Sequence, residues 1–260
     1  MTSTSDDRVA VLPGGVRMPM LGLGTWHLTG QSGYETIRHA LDLGYRHLDT
    51  ATMYRNETEV GRAIADSGVP REDIFVTTKL PPSAARAARP TITQSLRALG
   101  TDYVDLWLIH WPPGGANPAA WRDVVAARAD GLARAVGVSN YRTSQLDELI
   151  DATGETPAVN QIEWSPWLYD ARRLAEHAAR GIVVEGYSPF KRSQLRHPTL
   201  IEIAETHGVT PSQVVVRWHL EHRIVVIPKS SQPERLKNNA DVYGFALTPD
   251  EVARIDDIRG

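Results

Sequence analysis

Four polar side chains stand where short apolar runs end: Asp49 in YRHLDTA, Tyr54 just beyond it in TMYRNE, Lys79 in VTTKL and His110 in LIHWP. Their types suit a proton donor and the groups that tune it. A tyrosine hydroxyl has an ordinary pKa of about 10, too high for efficient acid–base work near neutrality, and a lysine cation beside it lowers that value. An aspartate would hold such a lysine charged and oriented. A histidine could donate to a carbonyl oxygen as negative charge develops there. Lysine is rarely buried without a partner, and Lys79 closes an apolar strand aimed at the interior, where Asp49 on the neighbouring strand could pair with it. Each residue also has a plainer reading. Asp49 could be a helix cap, Tyr54 half-buried packing and His110 hydrogen-bonded structure.

The elements that must position these residues recur along the chain. Short β-rich runs begin at Met20, Tyr45, Ile74, Val104, Arg134, Pro157, Ile182 and Ile224, with stretches of helical period between them, such as ETIRHALDLG from Glu35 and LDELIDATG from Leu146. Eight alternating units in about 220 residues predict parallel strands with crossover helices, and the count fits a closed (β/α)8 TIM barrel of the α/β class. In that fold the reacting groups come from the carboxyl ends of the strands, where the four residues sit. VAVLPGGVRMP near Val9 reads as an N-terminal β-hairpin at the barrel bottom and TPSQVVVRWHLEH from Thr210 as an extra helix before the eighth strand, with extra helices expected near the C-terminus. No linker interrupts the alternation. The expected organisation is a flexible tail over 1–8 and one barrel domain over 9–260.

A net charge of −3 and a pI near 6.3 supply no broad basic field, so neither nucleic acid nor a membrane surface is expected as a partner. The absence of cysteine removes disulfides and thiolate chemistry and suits a reducing cytoplasm. MTSTSDD lacks the basic and apolar regions of a signal peptide, and no apolar run approaches the roughly 20 residues that span a bilayer. LGLGTWH has two glycines of a dinucleotide fingerprint but His27 where the third belongs. His219 and His222 stand three apart on an expected helix without a third ligand, which predicts a surface face and no metal.

The series LGLGTW, GYRHLDTATMYRNE, VTTKL, LIHWP, GVSN, NQIE, YSP and IPKS, in that order, resembles the aldo-keto reductases, above all bacterial members of the 2,5-diketo-gluconate reductase type. The likeness runs from about Leu12 to Leu247. It implies reduction of aldehydes and ketones by NADPH, with NADH as a weaker alternative. Tyr54 would be the general acid, Lys79 and Asp49 its tuning pair, and His110 the group that orients substrate. It further implies that Ser139, Asn140 and Gln161 hold the nicotinamide carboxamide while Tyr187 stacks on the ring. Gly24, Thr25, Trp26, Asp49, Ser188, Pro189 and Phe190 would complete that side of the cofactor site. In IPKSSQPERLKNN, Lys229, Ser230 and Arg235 would meet the 2′-phosphate and Asn239 the adenine, flanked by Ser231 and Asn238.

The chain departs from the family pattern at three places. Phe190, Lys191 and Arg192 replace a glycine-rich turn, Pro81 stands where tryptophan is frequent, and Gln232 occupies a position that is basic in some relatives. Trp26 and Trp111 are expected to wall an apolar substrate pocket with Tyr54 and His110, Trp164 and Trp167 being weaker candidates. The ending at 258–260 predicts an open, permissive site. The expected partner is a small carbonyl compound, and the expected state a monomer. Two other readings remain open on the residues alone: a barrel aldolase forming a Schiff base on Lys79, and a regulatory protein that keeps the cofactor site without turnover.

Overall fold

The protein is described by a computed structural model covering residues 8–190 and 195–258. The expected tail, apart from Arg8, lies outside the described residues, as do Lys191, Arg192 and the last two residues. Arg8 itself is tied down, its carbonyl accepting from Met20 N–H at 2.9 Å. Strands β1 (Val9–Val11) and β2 (Arg17–Pro19) pair antiparallel as the expected hairpin. Its tight turn depends on Gly14 and Gly15, both left-handed at φ 80° and 79°. The hairpin borders a groove with Phe75, Asp105 and Arg134, which stand where three barrel strands begin, so it lies at the barrel bottom.

Eight parallel strands follow: β3 (Leu23–Gly24), β4 (His47–Asp49), β5 (Phe75–Leu80), β6 (Val104–Ile109), β7 (Ala133–Ser139), β8 (Val159–Glu163), β9 (Val183–Tyr187) and β10 (Val225–Ile227). Each pairs in parallel with the next. The circle closes where Gly22 N–H donates to Val226 O and Val226 N–H donates to Met20 O, both at 2.9 Å. Seven of the eight expected runs contain one of these strands, and the run from Arg134 covers β7 except for Ala133.

Around the barrel lie α1 (Gly30–Asp42), α2 (Glu57–Ala65), α3 (Ala88–Leu99), α4 (Pro118–Ala129), α5 (Thr143–Thr153), α6 (Ala171–Ala178), α7 (Pro198–His207), α8 (Pro211–Glu221), α9 (Pro233–Ala240) and α10 (Pro249–Asp256). Local chemistry sets several of their ends. Thr210 with Gln213 and Thr248 with Glu251 form reciprocal capping boxes, with proline at the first helical position of α8 and α10. Left-handed Gly100, Gly154 and Gly208 end α3, α5 and α7.

Two details differ from the sequence reading. The helix from Thr210, α8, packs on β10 and α9 as a member of the ring; the elements outside the ring are α7 and α10, which lean on α8. His219 is not on a surface face. It is wholly buried, its Nδ1 2.7 Å from Val215 O and its Nε2 3.3 Å from Trp164 O, because its turn of α8 faces the barrel wall. His222 Nε2 lies 2.7 Å from Asp256 Oδ1, and among the described residues no cluster of three acidic or imidazole groups could hold a metal ion. Among them, too, no helix is long and apolar enough to cross a membrane.

Strand periodicity explains what fills the barrel. Side chains two apart share a face, so a strand that aims one residue at the interior aims a column there. Gln161 on β8 touches Asp49 on β4, and Glu185 on β9 faces His47 on β4, though none of these strand pairs is hydrogen-bonded together. Such contacts can form only across the interior. The barrel interior therefore carries a polar column beside inward aliphatic residues such as Leu106 and Leu108, whereas Leu48 and Val76, on the opposite face of their strands, belong to the surrounding core.

Close strand packing also fixes a glycine. A Cβ at Gly137 would sit 2.4 Å from Val159 O on the next strand. Gly137→Ala is expected to force β7 from β8 and cost about 1–3 kcal/mol, as overpacking does, measured as a lowered urea midpoint with unchanged slope.

Candidate active site

The barrel's carboxyl ends gather the four residues singled out by type. Asp49 ends β4, Lys79 lies one residue inside the end of β5, and His110 follows β6 directly. Tyr54 closes a single helical turn over Thr52–Tyr54, stopped by left-handed Arg55 at φ 55°. That turn is anchored from beneath. Thr52 Oγ1 donates to Lys79 O at 3.0 Å, and the next residue but one beyond Tyr54, Asn56, is wholly buried and gives both amide hydrogens away, to Thr25 O and Leu28 O at 2.8 Å each. Asn56 also accepts from Thr50 Oγ1 at 2.8 Å. Its burial could not be seen in TMYRNE, where it reads as one more polar loop residue.

The central contact is an ion pair. Lys79 Nζ, fully buried, donates to Asp49 Oδ1 at 2.5 Å, to Thr50 O at 2.9 Å and, at the limit of a hydrogen bond, to Tyr54 Oη at 3.5 Å. Burial by itself would pull the ammonium pKa down, but the charges of Asp49 and Tyr54 more than offset it and hold Lys79 protonated. The Tyr54 hydroxyl does not follow the sequence reading. Burial raises it above its ordinary value, and Lys79 offsets only part of that rise. The reason is distance, since the ammonium is spent first on Asp49, an ångström nearer. His110 sits edge-on to Tyr54 with ring centres 5.7 Å apart, its pKa pushed down to about 3 by burial and then by Lys79. It is a neutral imidazole with a buried Nδ1 that has no hydrogen-bond partner among the described residues.

These groups open into a cavity of about 480 Å³. Its floor and near wall include Gly24, Thr25, Asp49, Tyr54 and His110, and its other wall Ser139, Asn140, Gln161, Tyr187, Ser188 and Lys229. The polar wall is already ordered. Tyr187 Oη donates to Asn140 Oδ1 at 2.9 Å, Asn140 Nδ2 donates to His110 O at 3.2 Å and Ser139 Oγ at 2.9 Å, and Ser139 Oγ donates to Gln161 O at 2.9 Å. Asn140 and Ser188 are left-handed, at φ 64° and 54°, each directly after a strand. Backbone held in this way at a strand end is a mark of functional rims.

Trp26, Met53 and Trp111 line the mouth and stay 58%, 57% and 47% exposed, so they are an apolar rim and not core. Met53 was missed; its only signal was adjacency to Tyr54. Glu163, also unforeseen, lines the cavity two residues beyond Gln161 on the same face of β8. Trp164 instead is wholly buried, and Trp167 packs edge-on against His197. Pro81 is buried and outside the lining, its carbonyl accepting from Ala84 N–H in a following turn. The remaining named residues stand outside this cavity. Pro189 and Phe190 continue the chain from Ser188, while Ser230, Ser231, Arg235, Asn238 and Asn239 lie before and along α9, with Lys229 linking them to the cavity. Lys229, Ser231 and Arg235 are exposed, whereas Ser230 and Asn239 are buried.

Comparison with known proteins gives the family. The model of the Aldo/keto reductase family matches residues 20–259. The chain belongs to that family. It is an oxidoreductase acting on carbonyl groups. It is 46% identical over 244 residues to 2,5-diketo-D-gluconic acid reductase B of a Corynebacterium species, covering 90% of this chain and 87% of that protein. It is 38% identical over 252 residues to methylglyoxal reductase DkgA of Escherichia coli, covering 95% and 92%. Among solved structures, the Bombyx mori aldo-keto reductase in complex with NADP superposes with a TM-score of 0.89 at 34% identity, over 95% of this chain and 91% of that one. An aldo-keto reductase from a deep-sea metagenome library of the Medee basin gives 0.93 at 38%, over 96% and 94%.

Two outcomes follow for this candidate site. Asp49→Asn strands a buried ammonium and is expected to cost about 3–5 kcal/mol in urea unfolding, far more than an exposed pair would. His110, ordinarily at 6.5, stays neutral in the fold until about 3. The unfolded chain therefore binds that proton first, and the contribution of His110 to stability, full above 6.5, is lost as pH falls toward 3. The melting temperature of His110→Gln should gain on that of the natural protein across this window.

Proposed function

We propose that this chain reduces small aldehydes and ketones to alcohols with NADPH, Tyr54 serving as general acid. The observation that carries this reading is a tyrosine hydroxyl in contact with a buried Lys79–Asp49 pair, opening into a cavity whose other wall is an ordered set of amide and hydroxyl groups.

The wall suits a nicotinamide. Gln161 gives both amide hydrogens to carboxyl groups beneath the cavity, which leaves its carbonyl oxygen as an acceptor for a carboxamide N–H. Tyr187 is pinned by its hydroxyl to Asn140, so its half-buried ring offers a fixed face for stacking. Exposed Lys229 and Arg235, beside Ser230 at the start of α9, are suited to a 2′-phosphate, and Asn239 with Asn238 to the adenine side. The Bombyx mori neighbour in complex with NADP supports this choice, with NADH a weaker substitute.

When bound, NADPH supplies hydride to the carbonyl carbon. Tyr54 passes its proton to the carbonyl oxygen, and Lys79, held charged by Asp49, stabilises the tyrosinate that results. Neutral His110 donates to the same oxygen and steadies its developing charge without competing for the proton. Alcohol oxidation would use the same groups in reverse. The apolar rim of Trp26, Met53 and Trp111 favours small or flat carbonyl compounds, and the names of the Corynebacterium and Escherichia coli relatives point to keto-sugar acids and dicarbonyls. A Schiff base on Lys79 is disfavoured because that step needs a neutral amine, and Asp49 holds this one charged.

Absorbance of the reduced nicotinamide, followed with an activated aldehyde, tests the reading. Tyr54→Phe should lower turnover by at least about 100-fold while NADPH still binds, in line with the usual worth of general acid catalysis. Retention of full turnover, or silence of the natural protein across a broad carbonyl panel, would overturn it. Joint replacement of Lys229 and Arg235 by Met should raise KM for NADPH by about tenfold or more and leave KM for NADH nearly unmoved, since each lost charge-assisted bond is worth about 1.5–3 kcal/mol.

A further inference from the structure

Beneath the cavity the polar network continues past the residues used above. Gln161 Nε2 donates to Asp49 Oδ2 at 2.7 Å and to Glu185 Oε2 at 2.8 Å, so one amide bridges two carboxyl groups. Glu185 is wholly buried on β9. Its other oxygen, Oε1, faces His47 Nε2 on β4 at 3.5 Å and has no hydrogen-bond partner among the described residues, while Nε2 lies 3.4 Å from Thr77 Oγ1. The imidazole is clamped. Its Nδ1 lies 3.2 Å from Pro19 O, which can only accept, so Nδ1 carries a proton. Phe75 stands edge-on to the ring, and a Cβ on Gly22 would come within 2.7 Å of it.

The groups facing Glu185 are His47 and Asp49 from β4, Lys79 from β5, Gln161 from β8 and, farther off, the Tyr54 hydroxyl; its partner on β10 is Val225. This closed set holds one fixed cation and two carboxyl groups, and Asp49 already occupies the cation at 2.5 Å. Two buried carboxylates cannot share one ammonium at low cost, so one of them keeps its proton. A doubly protonated His47 would offer a second cation, but its ring is wholly buried and meets no carboxylate at hydrogen-bond distance, the nearest oxygen of Glu185 standing 3.5 Å away, so that charge is disfavoured.

We propose that Glu185 is a positioning residue that stays a neutral carboxylic acid at neutral pH, its Oε1 turned toward the His47 ring and its Oε2 accepting from Gln161. It thereby leaves the charge of Lys79 to Asp49 alone and locks the Gln161 carbonyl toward the cavity. Burial first, and then the charge of Asp49, push the Glu185 carboxyl up to about 8, while burial pulls His47 down to about 3. Both directions put the proton on the glutamate. Above about 8 its ionisation places a second negative charge beside Asp49, which makes Tyr54 a weaker acid.

The first half of the proposal is independent of the catalytic reading, and the second rests on it. Infrared spectra of the protein without cofactor, with carboxyl-labelled glutamate, should show a protonated-acid band at pH 7 that fades as pH passes about 8 and is missing from Glu185→Gln. Only a carboxylate band at pH 7 would overturn the proposal. Thermal unfolding gives a second measure. Because the folded carboxyl is raised from 4.5 to about 8, its contribution to stability is full below 4.5 and is lost as pH rises to about 8, so the natural protein should lose melting temperature relative to Glu185→Gln across that window and not beyond it. A constant difference would count against it. For the positioning role, Glu185→Leu should raise KM for NADPH several-fold, and Glu185→Gln, whose amide oxygen still accepts from Gln161, should restore it. Equal KM values in all three proteins would overturn that role while leaving the Tyr54 assignment standing.

Discussion

A lysine ammonium placed at the centre of a protein is the constraint on which this structure turns. Removing such a charge from water costs several kcal/mol even after relaxation, and only close, well-aligned partners offset the cost. Lys79 has Asp49 at 2.5 Å and the Thr50 carbonyl at 2.9 Å, both from the end of β4, the strand next to its own. That pairing requires β4 and β5 in the observed register, Asp49 opposite Thr77. A slip of one residue would turn Lys79 outward and leave Asp49 buried alone. One ion pair thus ties the register of two strands to the chemistry of the rim.

The consequences spread around the barrel. Asp49 needs its second oxygen satisfied, and Gln161 supplies the bond from the opposite wall; Gln161 in turn reaches Glu185, which faces His47. Each polar group demands the next because an unpaired one in a dry interior costs about 1–3 kcal/mol. The network ends at the hairpin, where Pro19 accepts from His47, so the barrel bottom and the reactive rim are joined through the interior. Around this polar column, apolar strands and helix faces supply the bulk of the burial, and the caps of α8 and α10 fix where the helices begin.

At the rim the same economy of partners orders the wall before anything binds. Asn140 satisfies Tyr187, His110 and Ser139 at once, and it does so from a left-handed backbone that asparagine adopts more readily than most residues. By contrast, Trp26, Met53 and Trp111 make the mouth apolar and largely exposed, the kind of surface that tolerates several shapes of small molecule.

The sequence by itself determined the eightfold alternation, the hairpin at Pro13–Gly15 and the polar residues at three strand ends with Tyr54 just beyond one of them, because apolar period, turn glycines and a charged residue closing an apolar run are local signals. Tertiary structure alone decided the rest. Glu185 reads in IVVEGY as an ordinary charge in a strand, and His47 as a basic neighbour of Asp49; that they meet depends on strands β9 and β4 facing each other across a closed barrel. His219 reads in the sequence as a surface residue because no third ligand accompanies it and His222, whereas packing of α8 against the wall buries it beside Trp164. The pKa of Tyr54 likewise could not be judged from the presence of a lysine. Its direction depends on how deeply the hydroxyl is buried and how fully Asp49 has already claimed the cation, and both are distances in space that spacing along the chain does not encode.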